Sequence, residues 1–292
     1  MKKQALGTAC VALAASGWGT WALFLRGHGL PAAWQSLMIL SVISLCALPL
    51  AVRDSLRRGA RGASAWGVLG LAALTDAGNY YCYFGALDRG PIALAVLTHY
   101  LAPVVVAAFA PLVLREALTL RTRIALGVSL CGLSLLVLGD GGLPRASVWT
   151  ALMGASSAIF YGLNTLVTKK LFDVFSGAEV LCYHCIVAAG LIALTTGPAP
   201  LPSAFLWSPL IGALLLGAGS SSLFYLGLRW IPASRAAVLT YLEPLVASVV
   251  GFVAFGEPLG LAGIAGGALI IGAGASMALV GTEQGATNRH QA

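Results

Sequence analysis

Two carboxylates lie deep inside long apolar stretches of the 292-residue chain, at Asp76 and Glu243. An ionisable side chain inside a membrane span is expensive to bury, so it indicates a functional site. A carboxylate there can balance the charge of a cationic group or carry a proton. The alternative is a protonated, hydrogen-bonded structural acid, and the sequence leaves both interpretations open for each residue.

Two histidines also lie in apolar stretches. His99 stands next to Tyr100 near the middle of one stretch, and its depth favours a binding role as much as a packing role. His184 belongs to the run CYHC at 182–185. The two cysteines of this run share a helical face at i and i+3, whereas His184 is expected to point elsewhere. Because no further ligand is evident, the sequence predicts packing there and no metal site.

Other polar side chains recur at helical spacing. One stripe falls at i, i+3, i+4 and i+7 and consists of Asp76, Asn79, Tyr80 and Tyr83. A similar stripe consists of Ser157, Tyr161, Asn164 and Thr168. Polar faces are costly against lipid, so both are expected to point into a water-filled cavity. The predicted substrate wall comprises Trp18, Asn79, Tyr80, Tyr83, His99, Tyr100, Asn164, Tyr225 and Tyr241.

Membrane-spanning helices are needed to position these residues. The chain is 59% hydrophobic and 9% charged, whereas a soluble domain is about 25% charged. About 20 apolar residues cross a hydrocarbon core of about 30 Å. The predicted fold class is an all-α integral membrane protein with ten transmembrane helices. These run roughly over 5–25, 32–52, 65–87, 91–113, 122–139, 148–168, 178–197, 205–228, 232–255 and 258–280.

The basic residues predict the orientation of the chain. If the N-terminus is cytoplasmic, fourteen of the seventeen Lys and Arg residues face the cytoplasm, and only Arg26, Arg89 and Arg145 lie outside. Ten spans then place both termini in the cytoplasm. The net charge of +7 is scattered through short gaps, so it offers no face to nucleic acid. All six cysteines lie in apolar runs, which argues against a disulfide framework.

An internal repeat divides the chain. Residues 91–116 and 232–257 match after a shift of 141 positions, and the matches include prolines and glutamates, which are rare in apolar helices. The repeat predicts two five-helix halves, residues 1–145 and 146–292. Because five is odd, the second half enters from the opposite side, as in secondary transporters with a central substrate site. The matched pairs are Pro91 with Pro232, Tyr100 with Tyr241, Pro103 with Pro244, and Glu116 with Glu257.

The repeat also matches two prolines in the middle of spans. Each proline removes a helical hydrogen bond and clashes with the carbonyl four residues earlier. Pro103 is therefore expected to free the carbonyl of His99, and Pro244 that of Thr240. Both prolines are predicted to be hinges for alternating access, although they could instead merely shape the packing.

The motifs of the two halves resemble those of a known family. The first half has LAPV at 101–104 followed by Glu116, and the second has LEPL at 242–245 followed by Glu257. The run SGWG at 16–19 is similar to the W-G step of the same family. The chain thereby resembles the drug/metabolite transporter superfamily of EamA type, and most of all its branch of bacterial aromatic-amino-acid exporters. The resemblance implies a secondary transporter of the bacterial inner membrane that exports small metabolites, with amino acids as its substrates.

Two other functions are left open by the residues themselves. Asp76 and Glu243 beside aromatic walls also suit the export of hydrophobic cations or drugs. An intramembrane enzyme could use Asp76, His99 or Glu243, but the chain has no paired-aspartate, Ser-His or HExxH motif. The expectation is therefore a transporter with no enzymatic activity, no cofactor and no metal. The sequence does not predict the oligomeric state.

Overall fold

The computed structural model describes residues 2–25, 30–89, 92–139, 148–197 and 207–287, and these parts contain helices and no strand. The all-α class is thereby confirmed for the described residues. The α-helices are α1 (Lys2–Trp18), α2 (Ala22–Leu25), α3 (Ala32–Arg58), α4 (Ala63–Arg89), α5 (Ile92–His99), α6 (Ala102–Val113), α7 (Leu120–Leu138), α8 (Val148–Leu171), α9 (Gly177–Ala193), α10 (Trp207–Gly212), α11 (Ser221–Leu228), α12 (Ala233–Leu239), α13 (Leu242–Phe255) and α14 (Leu261–Thr287). A π-helical segment, Ala213–Ser220, joins α10 to α11.

The lengths of the helices fit a membrane. Within the described parts, seven helical stretches are long and apolar enough to cross a bilayer, and two shorter apolar helices accompany them. Helix α4 has sufficient length, but its polar stripe with Asp76 and Asn79 makes it less apolar. The total of ten spans therefore stays a prediction. The seven stretches are Lys2–Leu25, Ala33–Arg58, Leu94–Val113, Leu120–Leu138, Val148–Leu171, Trp207–Leu228 and Ala233–Phe255.

Large apolar side chains cover the outside of the bundle. Many of them are more than half exposed, a pattern that water would not tolerate over so large an area but that lipid accepts. Examples with between 63% and 82% exposure are Leu13, Leu45, Leu112, Val253 and Leu261.

Helices α4 and α8 pack in antiparallel directions and bring the two predicted polar stripes together. The Asn164 side-chain amide donates to the carbonyl of Ala72 at 2.8 Å. Further along α4, Asn79 Oδ1 accepts from the hydroxyl of Ser157 at 2.8 Å. From the first contact to the second, the residue number rises along α4 from 72 to 79 and falls along α8 from 164 to 157, so the two helices run in opposite directions.

Helix α1 packs in the same way against α11 and the π-helical segment. A Cβ atom built on Gly227 would lie 2.6 Å from the carbonyl oxygen of Gly7. At the other end of the contact, one built on Gly17 would meet the hydroxyl of Ser220. These helices therefore also run antiparallel, and small residues let their backbones approach closely.

Helices α7 and α14 form a third antiparallel pair. A Cβ atom on Gly132 would lie 2.7 Å from the carbonyl oxygen of Gly266. Further along α7, the side chain of Leu136 approaches Gly263, which precedes Gly266 in the chain. The predicted small-residue face of the last span therefore packs against another helix, as expected for glycines in membrane helices.

Two predicted spans are broken in the middle. The span at 91–113 is divided between α5 and α6, and the one at 232–255 between α12 and α13. Each break comes just before the matched prolines, so that Pro103 and Pro244 lie in the first turn of the following helix, where a missing N–H is tolerated. The expectation of a free carbonyl at Thr240 is wrong, because it accepts the backbone N–H of Glu243 at 3.0 Å.

One end of the bundle carries a concentration of positive charge. We call it the basic end, and it is where α3 and α8 finish and α4, α9 and α12 begin. Its basic side chains include Arg57, Arg58, Arg61, Lys169 and Lys170. Arg26 and Arg145, which are predicted to lie on the opposite side, fall outside the described residues.

Two ion pairs hold the basic end together. Arg61 Nη2 lies 2.5 Å from Glu179 Oε1, with the glutamate side chain fully buried. Lys169 Nζ lies 2.5 Å from Glu116 Oε1, and the other oxygen of Glu116 accepts the backbone N–H of Ala233 at 2.6 Å. Each pair joins a residue before position 145 to one after it, so the two parts of the chain are tied together at this end.

The Gly132 contact predicts a position-specific loss of stability. Replacing Gly132 with alanine should push α7 and α14 apart and lower the free energy of unfolding by about 1–3 kcal/mol. The control is Gly127→Ala in the same helix, where an added Cβ meets nothing within 4 Å and alanine favours the helix. Thermal unfolding of detergent-purified protein checks this, and equal losses in both variants would contradict it.

Candidate substrate cavity

A cavity of about 730 Å³ lies among the helices. Ten tryptophan, tyrosine and phenylalanine rings stand in its wall among aliphatic side chains, together with hydroxyl, amide, imidazole and carboxyl groups. The wall includes Leu25, Gln35, Ile92 and Leu259, which stand at the end of the bundle opposite the basic end. None of the four residues of the basic-end ion pairs contributes to it. The cavity therefore extends away from the basic end.

The structure brings most of the predicted site residues together. Eleven of the thirteen line the cavity, whereas Tyr241 and Pro103 do not. Those in the wall are Trp18, Asp76, Asn79, Tyr80, Tyr83, His99, Tyr100, Asn164, Tyr225, Glu243 and Pro244.

Tyr241 corrects the predicted wall. Its side chain is fully buried, and its hydroxyl donates to the carbonyl oxygen of Tyr100 at 3.0 Å. That carbonyl lacks its usual helical partner, because the N–H of Val104 bonds to Leu101 instead. Tyr241 therefore connects the two broken helices behind the cavity wall.

A chain of hydrogen bonds orients His99. The hydroxyl of Ser157 donates to Asn79 Oδ1 at 2.8 Å, so it must accept from Nδ1 of His99, which lies 2.7 Å away. The Nδ1–H tautomer follows, and it leaves Nε2 as the acceptor on the ring. Three elements, α4, α5 and α8, thus fix this imidazole.

Aromatic rings surround His99 on several sides. The ring of Tyr83 lies 4.2 Å from it, centroid to centroid, and Tyr161 stacks on it at 5.5 Å with an angle of 14°. Tyr100 approaches edge-on at 5.2 Å. This cluster presents a flat apolar surface with polar edges, which suits a planar or apolar ligand group.

Asp76 and His184 form an ion pair across the cavity wall. Asp76 Oδ2 lies 3.3 Å from Nε2 of His184, and both residues are buried. His184 Nδ1 lies 2.6 Å from the carbonyl oxygen of Val180, so this nitrogen carries a hydrogen. The prediction that His184 points away from other ligating groups is therefore wrong. Cys185 and Tyr225 also approach its Nε2, each at 3.5 Å.

Glu243 is placed in the cavity by the break between α12 and α13. It lies in the first turn of α13, where a helix N-terminus favours negative charge. The side chain of Tyr100 lies beside its carboxyl group. No lysine or arginine lines the described part of the cavity, so the described wall has no permanent positive charge.

Trp18 and Gly19 bring the end of α1 to the same cavity. The indole N–H of Trp18 donates to the carbonyl of Leu216 at 3.0 Å, inside the π-helical segment. A Cβ atom on Gly19 would lie 2.5 Å from the carbonyl oxygen of Glu243. In the W-G step, a hydrogen bond therefore fixes the Trp18 ring, and the absence of a side chain at Gly19 lets the backbone of α13 approach the end of α1.

The profile of the EamA-like transporter family matches residues 5–138 and again residues 148–279. The chain belongs to the EamA-like transporter family. The resemblance seen in the proline and glutamate motifs is thereby confirmed.

Several proteins resemble this EamA-like transporter along most of their length. An uncharacterized transporter of Archaeoglobus fulgidus is 29% identical over 91% of this chain and 93% of its own. A probable terminal-alkyne amino-acid exporter of Streptantibioticus cattleyicolor is 30% identical over 82% of each chain. A protein of known crystal structure superposes with a TM-score of 0.80 at 23% identity, covering 94% of this chain and 98% of its own. That last likeness concerns the fold alone.

The sequence does not predict every residue in the wall of this EamA-like transporter, and Tyr161, His184 and Cys185 are the most informative of those it misses. Tyr161 was recognised in a polar stripe but not as a binding residue, although its position beside Asn164 in that stripe was a sufficient signal. His184 and Cys185 were assigned to packing. The available signal was that an ionisable residue inside a span is a candidate site by default.

Proposed function

We propose that this EamA-like transporter is a secondary exporter of neutral amino acids, aromatic ones among them. It moves them across the bacterial inner membrane by alternating access. The family supplies the class of activity, and the chemistry of the cavity supports the narrower substrate.

The observation that carries the proposal is the set of groups that the cavity leaves available. Among the described residues, the hydroxyls of Tyr80, Tyr83 and Tyr161 form no hydrogen bond with protein atoms, and Glu243 forms no ion pair. A zwitterionic amino acid offers matching groups. Its ammonium fits the carboxylate of Glu243, its carboxylate fits the tyrosine hydroxyls and the amide of Asn79, and its side chain fits the aromatic rings.

The charge of the wall supports amino acids over other metabolites. Phosphorylated substrates need Arg or Lys, which hold phosphate oxygens strongly, and the described wall has neither. A hydrophobic cation would suit the aromatic rings, but it would leave the tyrosine hydroxyls without an acceptor for their hydrogens. The name of the Streptantibioticus relative, a probable amino-acid exporter, also supports this choice.

The proposed architecture is a pair of five-helix halves with opposite orientation, residues 1–145 and 146–292. The contact of α4 with α8 and that of α1 with α11 are equivalent under such a repeat, and both are antiparallel. The pair α7 and α14 consists of equivalent helices, and these also run antiparallel. A repeat about an axis in the membrane plane requires this direction. The two separate matches to the family profile fall in the two halves.

The positive-inside rule makes the basic end cytoplasmic, which puts both termini in the cytoplasm. The cavity then extends towards the outside, while the Arg61–Glu179 and Lys169–Glu116 pairs join the two halves on the inner side. This arrangement is the outward-facing state of an alternating-access cycle. Opening to the cytoplasm requires both ion pairs to separate.

Uptake into liposomes tests the substrate. Purified protein should accumulate labelled phenylalanine or leucine, and a labelled lipophilic cation should show no protein-dependent uptake.

Tyr83→Ala and His99→Ala should each lower the rate of amino-acid uptake by at least about tenfold, because each removes a ring and a polar group that hold the substrate in the cavity. Tyr81→Ala is the matched control, since Tyr81 is 63% exposed on the outer face of the same helix. Cation uptake without amino-acid uptake would replace this function with drug export.

Glu243 is the proposed proton carrier. Glu243→Gln should abolish uptake driven by a pH gradient while preserving exchange of labelled for unlabelled substrate, because the glutamine amide oxygen can still accept a hydrogen bond from the substrate ammonium but cannot carry the proton. Asp173→Asn serves as the control, since Asp173 lies on an exposed turn after α8. Unchanged dependence on the gradient in Glu243→Gln would remove this residue from the coupling role.

The broken helices are the proposed hinges. Pro103→Ala and Pro244→Ala should restore a continuous helical hydrogen-bond pattern, slow transport more than they weaken binding, and bias the protein towards one face. A cysteine reporter at Ser248, labelled from each side of oriented vesicles, measures this bias. Pro111→Ala is the control, because Pro111 lies inside the unbroken helix α6. Wild-type accessibility and rate in both hinge variants would show that the prolines only shape packing.

A further inference from the structure

Three side chains with metal-binding atoms meet at the cavity wall. They are Asp76, His184 and Cys185, and one ligand atom from each lies within 4.8 Å of the other two. All three residues are buried. They come from two helices, since Asp76 belongs to α4 and the others to α9. The cluster therefore depends on tertiary packing and has no sequence motif of its own.

Two of the three distances in the cluster match those between neighbouring ligands of one tetrahedral ion. Zinc binds nitrogen and oxygen at about 2.0–2.2 Å and thiolate sulfur at about 2.3 Å, so adjacent ligand atoms lie about 3.3–3.6 Å apart. Nε2 of His184 is 3.3 Å from Asp76 Oδ2 and 3.5 Å from Cys185 Sγ. The third pair, Asp76 and Cys185, lies within 4.8 Å, so an ion bound to Nε2 needs only a small closing movement of these two side chains.

The hydrogen bond on the far side of the His184 ring already has the form that metal sites use. A metal-binding histidine usually donates its other ring N–H to a carbonyl or carboxylate, which fixes the tautomer and the direction of the free nitrogen. Here Nδ1 of His184 donates to the carbonyl of Val180 at 2.6 Å. Nε2 is thereby held towards Asp76 and Cys185. The hydroxyl of Tyr225, 3.5 Å from Nε2, stands beside the remaining position, which the cavity can fill with water.

We propose that Asp76, His184 and Cys185 form a binding site for Zn²⁺ or a divalent metal of similar softness. The mixture of imidazole, thiolate and carboxylate favours zinc over magnesium or calcium, which prefer all-oxygen sites. Binding takes the lone pair of neutral His184, the carboxylate of Asp76 and the thiolate of Cys185. The thiol proton leaves through the cavity, together with the second imidazole proton when His184 is charged, and nothing is oxidised or reduced.

This site goes beyond the proposed export of amino acids. It is tested by equilibrium binding, which needs no transport, and transport can be measured in the presence of a chelator. A failure of one proposal therefore leaves the other standing.

The experiment titrates chelator-treated protein, purified in detergent with a histidine-free tag, with Zn²⁺ and then with Co²⁺. Calorimetry should show one bound Zn²⁺ per chain. Co²⁺ should give the intense visible absorption of a tetrahedral site and a charge-transfer band from a thiolate. Cys185→Ser should abolish that band, and both Cys185→Ser and His184→Gln should weaken Zn²⁺ binding by at least about tenfold.

Cys182→Ser is the matched control. Cys182 is buried one turn earlier on α9, and its sulfur contacts the hydroxyl of Ser44 instead of the cluster. This variant should bind Zn²⁺ like the wild type. Equal loss in Cys182→Ser and Cys185→Ser, or no saturable Zn²⁺ binding by the wild type, would overturn the proposal and leave the cluster as an ion pair.

A second measurement guards against misfolded variants. In a protein whose cysteine at 185 is retained and whose other cysteines are replaced by serine or alanine, Zn²⁺ should slow maleimide labelling, and a chelator should restore it. Mg²⁺ should give no protection. Labelling that is insensitive to Zn²⁺ would also overturn the proposal.

Discussion

The hydrogen bond from the Tyr241 hydroxyl to the Tyr100 carbonyl joins the two places where the helical backbone is interrupted. In an apolar surrounding, an interrupted helix must find another partner for each freed backbone group. Tyr241 supplies that partner from the other broken helix, so a side chain at the second interruption stabilises the first. The same bond fixes the positions of His99 and Glu243, which lie one residue before Tyr100 and two residues after Tyr241. The chemistry of the cavity therefore depends on this contact behind its wall.

Polar groups in the bundle fall into two sets. One set is internally satisfied, as in the chain from Asn79 through Ser157 to His99, and it gives the cavity a fixed shape. The other set, which includes the hydroxyls of Tyr80 and Tyr83, stays available to a ligand. Because the fixed groups are already paired, binding requires little reorganisation of the wall, and the entropic cost of association is reduced.

Local periodicity was enough to predict the face of α4 and most of the cavity wall. The spacing of Asp76, Asn79 and Tyr83 places them on one side of an α-helix wherever that helix lies in the bundle. Because polar side chains are costly against lipid, this side must face an interior cavity. The breaks at 100–101 and 240–241 follow only in part from local chemistry, because a proline removes a helical hydrogen bond but Pro111 lies within the unbroken helix α6. Periodicity cannot say which helix faces which. The contact of Asp76 with His184 depends on that choice, and the sequence does not predict it. Tyr241, which is predicted in the wall, lies behind it for the same reason.

The π-helical segment Ala213–Ser220 has a consequence for the alignment of the two halves. Trp66 and Trp207 are separated by 141 positions, whereas Tyr83 and Tyr225 are separated by 142. One additional residue in an α-helix would rotate everything after it by about 100°, and Tyr225 would then turn away from His184. A π-helical turn closes over one more residue than an α-helical turn, so the wider segment absorbs the addition. Within the proposed repeat, this segment is the structural trace of a single-residue insertion, accommodated by local widening so that the residues after it kept their phase.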